Sequence, residues 1–251
     1  MWADINDLRD FYASPLGCLV CRVLRQHVRT LWPDVRGERV LGVGFATPFL
    51  SQFQEEAEQV AAVMSPTQGA MRWPVGEPGL VTLADDGALP FQDRLFDRIV
   101  LVHSLESSAN FRDLLRECWR VLVDGGRLMV IVPNRRGMWA RIERTPFAYG
   151  RPYSMNQLSR LLRDAFFMPV EKSTALFFPP LWWPLFASWT LVVERIGRRF
   201  LPTIAGVNLM EATKQIYSAP PQAATARRLK DYVLVPGNAA PARTANRLIA
   251  R

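Results

Sequence analysis

The chain has 251 residues, 49% of them hydrophobic and 22% charged, with three cysteines and a formal net charge of +8. That much apolar material in one chain of this length excludes disorder throughout, and three cysteines are too few for a disulfide framework. The charge is uneven: residues 1–134 hold 13 basic and 17 acidic side chains, a net of −4, and residues 135–251 hold 18 and 6, a net of +12. A basic half suits an anionic ligand or surface, or a solvated arginine-rich face, and no nucleic-acid-binding motif accompanies it. Met1-Trp2-Ala3-Asp4 has no basic flank leading into an apolar core, so no secretory signal and a cytoplasmic setting are expected.

In chain order, Leu16, Leu19, Val20, Val23, Leu24, Val28 and Leu31 recur at helical spacing and predict an amphipathic helix ended by Trp32-Pro33. Cys18, Cys21 and His27 fall inside this helix. With no second cysteine pair in the chain, the cysteines read as packing residues, and no metal site is expected. Arg39–Gly44 reads as a buried strand entering a glycine turn, and Val60–Met64, Leu80–Leu83, Arg98–His103 and Arg127–Val132 as further strands. Phe111–Leu122 has a helical apolar face and stops at Asp124-Gly125-Gly126. Ser154 and Gln157 stand at capping-box spacing before Leu158, Leu161 and Leu162, so a helix starts there.

Pro169–Phe178 and Val207–Tyr217 are read as the last two strands, with an aromatic insertion over 178–205 between them. Residues 175–193 carry no charge, but Pro179, Pro180 and Pro184 interrupt any helix long enough to span a bilayer. A lid over an apolar site, core packing, a homodimer contact, or a peripheral membrane element with Trp182, Trp183 and Trp189 at headgroup level all suit 175–205. Such contact would put the protein at the inner face of the membrane. Residues 218–251 lack apolar periodicity and read as a basic tail. Strands alternating with helices predict an α/β chain: a Rossmann-like, doubly wound, seven-stranded, mostly parallel sheet with helices on both faces. Ligands of such sheets bind beyond the carboxyl ends of the strands.

From Asp85 the sequence runs Asp-Asp-Gly-Ala-Leu-Pro-Phe, then Phe96-Asp97 and a strand ending His103-Ser104-Leu105-Glu106. Glu117-Cys118-Trp119-Arg120-Val121-Leu122 and Gly125-Gly126-Arg127-Leu128 follow. These pieces, over roughly residues 38–135, resemble the class I S-adenosylmethionine-dependent methyltransferases, in particular the small-molecule branch of the methyltransferase type 11 kind. The resemblance implies S-adenosylmethionine as cofactor, held around Gly42, Gly44, Phe45, Ala46, Met64, Asp85, Asp86 and His103. Asp85 matches the acid that meets the adenine amine, and His103 the strand-end position near the methionine portion.

Two positions depart from the family's pattern. Gly42 stands where the first strand usually ends in an acid, with Ala46 and Pro48 replacing later glycines of the turn. Met64 stands where an acid usually holds the ribose. Restoring a carboxylate by Gly42→Asp or Met64→Asp is expected to tighten cofactor binding. A nicotinamide-binding turn fits less well, because its third glycine is missing, and no Gly-Lys-Ser/Thr marks a phosphate loop. Arg144, Tyr149, Arg151 and Tyr153, after the fifth strand, are candidate substrate contacts, since guanidinium groups suit a carboxylate or phosphate. No catalytic base is evident, as Asp85 and Asp86 would point to opposite sides of an extended segment. The implied function is methyl transfer to a small, apolar or anionic acceptor. The alternative is a catalytically inactive relative that binds a protein partner through the same fold.

Overall fold

Parallel strands flanked by helices on both faces are buried throughout, so they appear in sequence as unbroken apolar runs. The computed structural model of the chain describes residues 4–76, 78–180, 190–200 and 202–215. Seven strands form one sheet: β1 (Arg39–Gly44), β2 (Gln59–Met64), β3 (Val81–Leu83), β4 (Phe96–Val102), β5 (Leu122–Pro133), β6 (Phe167–Ala175) and β7 (Val207–Lys214). Their order is β3-β2-β1-β4-β5-β7-β6, with β7 antiparallel to both β5 and β6 and all other pairs parallel. Strand order reverses between β1 and β4, and the crevice beyond their carboxyl ends is where such sheets hold ligands.

The helices are α1 (Ile5–Ala13), α2 (Pro15–Leu31), α3 (Thr47–Leu50), α4 (Phe111–Val121), α5 (Met155–Asp164) and α6 (Thr190–Phe200). Side-chain alternation along each strand builds two cores. Val40, Val100, Val102, Met129 and Ile131 face α1, α2 and α3. Leu41, Val43, Ile99, Leu101, Leu128 and Val130 face α4 and α5. The α2 helix starts at a Ser14 cap, whose Oγ accepts the Gly17 N–H at 3.1 Å, with Pro15 in its first turn. The expected capping box opens α5: Ser154 Oγ accepts from Gln157 N–H at 3.3 Å, and Gln157 Oε1 from Ser154 N–H at 3.0 Å.

Four boundaries differ from the sequence reading. The helix over 111–121 passes directly into β5 at Leu122, and Asp124-Gly125-Gly126 bulges within that strand, with Gly125 at φ +76°. β6 begins at Phe167 and ends at Ala175, so Leu176–Phe178 lie beyond the strand. β7 ends at Lys214. α1 has no counterpart in the sequence reading, because it is nine residues long and buries only Ile5, Leu8 and Tyr12.

Ala175–Phe178, at the head of the expected aromatic insertion, are buried core rather than a surface element. Trp182, Trp183, Trp189 and the basic tail over 218–251 lie outside the described residues. Among the described residues, no helix is long and apolar enough to cross a membrane.

Candidate active site

The turn after β1 is shaped by close backbone approach. Gly44 sits at φ +79°, and a Cβ there would lie 2.3 Å from the Val102 carbonyl oxygen and 2.7 Å from Ser104 Cβ, so only glycine fits. The next amide, Phe45 N–H, donates to the Val102 carbonyl at 2.9 Å. Gly42 is held for a different reason. A Cβ on it would meet Ala46 Cβ and Leu50 Cδ1 at 2.6 Å, because α3 packs directly over the strand. The place of the family's first acid is therefore filled by apolar atoms, which argues against the expectation that Gly42→Asp would restore a contact.

Phe45, Ala46 and Met64 also face the core, at 2%, 0% and 1% exposure. Of the expected cofactor residues, Gly44 and Asp86 line the crevice at the strand ends, together with Ser65, Gln68, Ser104 and Ser108. Burial pushes the Asp86 carboxyl above its ordinary value, opposed by the Ser108 hydroxyl and reinforced by neighbouring Asp85. Asp85 itself is exposed and is not part of the lining.

The crevice is nearly closed. Its open volume is about 10 Å³, room for roughly one water molecule. Gln68 closes it from one side, donating through Nε2 to the His103 carbonyl at 2.7 Å and to Ser107 Oγ at 3.1 Å. Behind the lining, α1 packs against the residues that follow β1 and β4. The Tyr12 hydroxyl lies 2.9 Å from His103 Nε2, and its ring stacks on Phe45 at a centroid distance of 5.4 Å. Burial, then Cys21 and Glu106, hold the Tyr12 phenol well above its ordinary value, so it stays protonated.

His103 itself is 4% exposed, packs against Phe147, and adopts φ +51° at the end of β4. A left-handed backbone at a non-glycine residue in a crevice is a feature of functional sites. On the far side of the ring, His103 Nδ1 lies 3.2 Å from Glu106 Oε1. Glu106 is 3% exposed, and neither of its carboxylate oxygens has a hydrogen-bond partner; the Ser104 hydroxyl lacks one too. The structure thus aligns Tyr12, His103 and Glu106 at the strand end.

Two of the four candidate substrate residues reach this group. Arg151 N–H donates to the Glu106 carbonyl at 2.8 Å, and Glu106 helps raise the Tyr153 phenol, after burial. Arg144 and Tyr149 are exposed, and the Tyr149 hydroxyl donates to the Glu143 carbonyl instead. Glu106 is an acid three residues beyond a strand-end histidine, a signal present in the sequence. Tyr12 and Gln68 had none, because their roles come from contacts 91 and 35 residues away.

As a seat for S-adenosylmethionine, this arrangement fits in part. Asp86 and the unpartnered Ser104 hydroxyl, both in the lining, suit an amine and a polar flank, while the buried Glu106 lies behind the lining and does not replace the acid absent at position 42. The ribose-holding acid has no replacement at Met64. A ligand of that size also needs a pocket of roughly 300–1,000 Å³, so the crevice must widen first.

Residues 16–130 match a family model described as a methyltransferase domain. The chain is 29% identical over 119 residues to a demethylmenaquinone methyltransferase of Thermus thermophilus, covering 47% of each chain. It spans about half the length of the curated relatives it matches. Among solved structures it resembles an S-adenosylmethionine-dependent methyltransferase of Thermotoga maritima, with TM-score 0.59 and 20% identity, over 84% of this chain and 96% of that one. It also resembles a methyltransferase of Haloferax volcanii in complex with the Trm112 activator, with TM-score 0.61 and 16% identity, over 85% and 99%. With its strand order, its glycine turn and this match, the stretch over residues 16–130 is similar to a methyltransferase domain, and the solved structures it resembles include S-adenosylmethionine-dependent enzymes.

Proposed function

We propose that the protein transfers a methyl group from S-adenosylmethionine to a small acceptor bearing an O–H or N–H, and that it does so only after Gln68 leaves the crevice and Tyr12 leaves His103. The observation that carries this reading is the Tyr12–His103–Glu106 alignment at the end of β4. When bound, the cofactor supplies an electrophilic methyl group, and the chain's own task is alignment and handling of the acceptor's proton. With the His103 proton on Nδ1, facing Glu106, Nε2 is an acceptor and takes the Tyr12 hydroxyl. Withdrawal of Tyr12 bares that nitrogen, and the Glu106 carboxyl, 3.2 Å from Nδ1 on the other side of the ring, favours a proton there. His103 then receives the proton that the acceptor loses, while Asp86 and Ser104 hold polar groups of the cofactor. An apolar acceptor suits Phe147 beside the ring and Phe45, on which Tyr12 stacks. The Thermus relative, whose name denotes a demethylmenaquinone substrate, is consistent with that class.

The filled position at Gly42 and the buried Met64 favour a second reading, in which the fold binds a partner without turnover. Methyl-labelled S-adenosylmethionine, incubated with the protein and a small-molecule extract of its source cells, separates the two. The first reading expects label in the small-molecule fraction, reduced about 100-fold in His103→Gln, the scale of a lost general base. No transfer, together with no cofactor binding at millimolar concentration, supports the second.

A further inference from the structure

Beyond the carboxyl end of β5, on the side of β7 and β6, the chain forms a second cleft of about 510 Å³, far roomier than the crevice at β1 and β4. Three cations from three elements line it: Arg136 on the loop after β5, Lys172 on β6 and Arg198 on α6. No carboxylate is among its described lining residues. The remaining walls are hydroxyls and amides, including Ser154, Ser173, Thr174 and Thr203.

Two buried asparagines brace the floor. Asn134 is 5% exposed and donates through Nδ2 to the carbonyls of Thr203 and Ala205, at 3.1 and 2.8 Å. Asn208 is 1% exposed and donates to the Tyr153 carbonyl at 2.8 Å. These bonds tie the end of β5, the start of β7 and the loop before α5 into one wall, so the cleft is preformed rather than assembled by its ligand. The amino terminus of α5, at Ser154 and Met155, also borders it and adds partial positive charge. Arg198 is shared, since it also acts on Glu194 and His27. Among the described residues Arg136 and Lys172 make no ion pair, and they are the cations most free to meet a ligand.

We propose that this cleft binds a phosphate-type anion, and that Arg136 and Lys172 recognise it. Like charges gathered on one polar concavity repel one another, and an anion seated between them turns that repulsion into charge-assisted hydrogen bonds. The volume admits a phosphorylated small molecule or a single lipid headgroup. The inference does not depend on the methyl-transfer reading, since the site shares none of its lining residues with the crevice.

Calorimetric titration with pyrophosphate, alongside sedimentation with phosphatidylglycerol and phosphatidylcholine vesicles, tests it on the full chain. The expected result is saturable anion binding that weakens at least about tenfold in Arg136→Gln/Lys172→Gln, weakens with salt, and is unchanged in Arg116→Gln, an exposed arginine of α4 outside the cleft. Unchanged thermal unfolding of the double variant establishes that its fold is intact. Pyrophosphate binding without vesicle binding identifies a soluble phosphorylated ligand. Binding to phosphatidylglycerol vesicles alone, lost in the double variant, identifies a headgroup. The proposal is overturned if neither probe binds, or if what binds is indifferent to the double substitution.

Discussion

Gly42 shows how a single position can look like a lost functional residue and be a packing requirement. The missing Cβ is the space that Ala46 and Leu50 occupy. Gly42→Asp therefore forces overpacking and buries a carboxylate, and we expect it to lower stability by about 1–3 kcal/mol with no gain in cofactor affinity. Urea unfolding and calorimetry on the same sample check both halves of that statement.

A second residue-scale prediction comes from a pair lining a pocket between α2 and α6. Burial pushes Glu194 up to about 7, although it accepts the Leu176 and Phe177 amides at 3.1 and 2.8 Å. Burial and then Arg198 push His27 down to about 4. The raised carboxyl contributes stability that is present below its ordinary value of 4.5 and is lost as pH rises through about 7. The depressed imidazole acts oppositely, with stability present above 6.5 and lost as pH falls through about 4. In wild type the two slopes offset each other. In His27→Leu only the first remains, so its unfolding free energy should fall steadily from pH 4.5 to 7. A flat profile for that variant would show that Glu194 is not held protonated.

At the scale of elements, what could be read from the sequence was what local physics decides. The capping box of α5 was legible because Ser154 and Gln157 satisfy each other's backbone groups within one turn. Ser154→Ala should therefore cost about 1 kcal/mol in chemical denaturation, without altering the sheet. The inner strands were legible as apolar runs, and the glycine turn as a place where backbone must approach backbone. α1 was not legible, since one short helix with three buried residues carries little periodicity. Closure of the crevice was not legible either, because it arises when Gln68 reaches across to the His103 carbonyl and the Ser107 hydroxyl. The motif that carries the family resemblance says where a ligand would lie in this fold. It does not say that Tyr12 and Gln68 already occupy the ground beside it.

For the molecule as a whole, alternation of strands and helices was enough to predict the seven-stranded, doubly wound sheet, and the charge split was a true feature with a location. Arg136, Lys172 and Arg198 all belong to the basic half and converge on one cleft. The proposed function requires that the crevice at the ends of β1 and β4, closed by Gln68, open to admit S-adenosylmethionine. Titration of S-adenosylhomocysteine into wild type, Gln68→Ala and Tyr12→Phe tests it directly. Because Gln68→Ala removes the bonds that span the crevice and Tyr12→Phe frees His103 behind it, weak binding to wild type and several-fold tighter binding to both variants are expected, with Asp86→Ala abolishing it. Absence of binding in all three at millimolar ligand, with each protein folded, would contradict it.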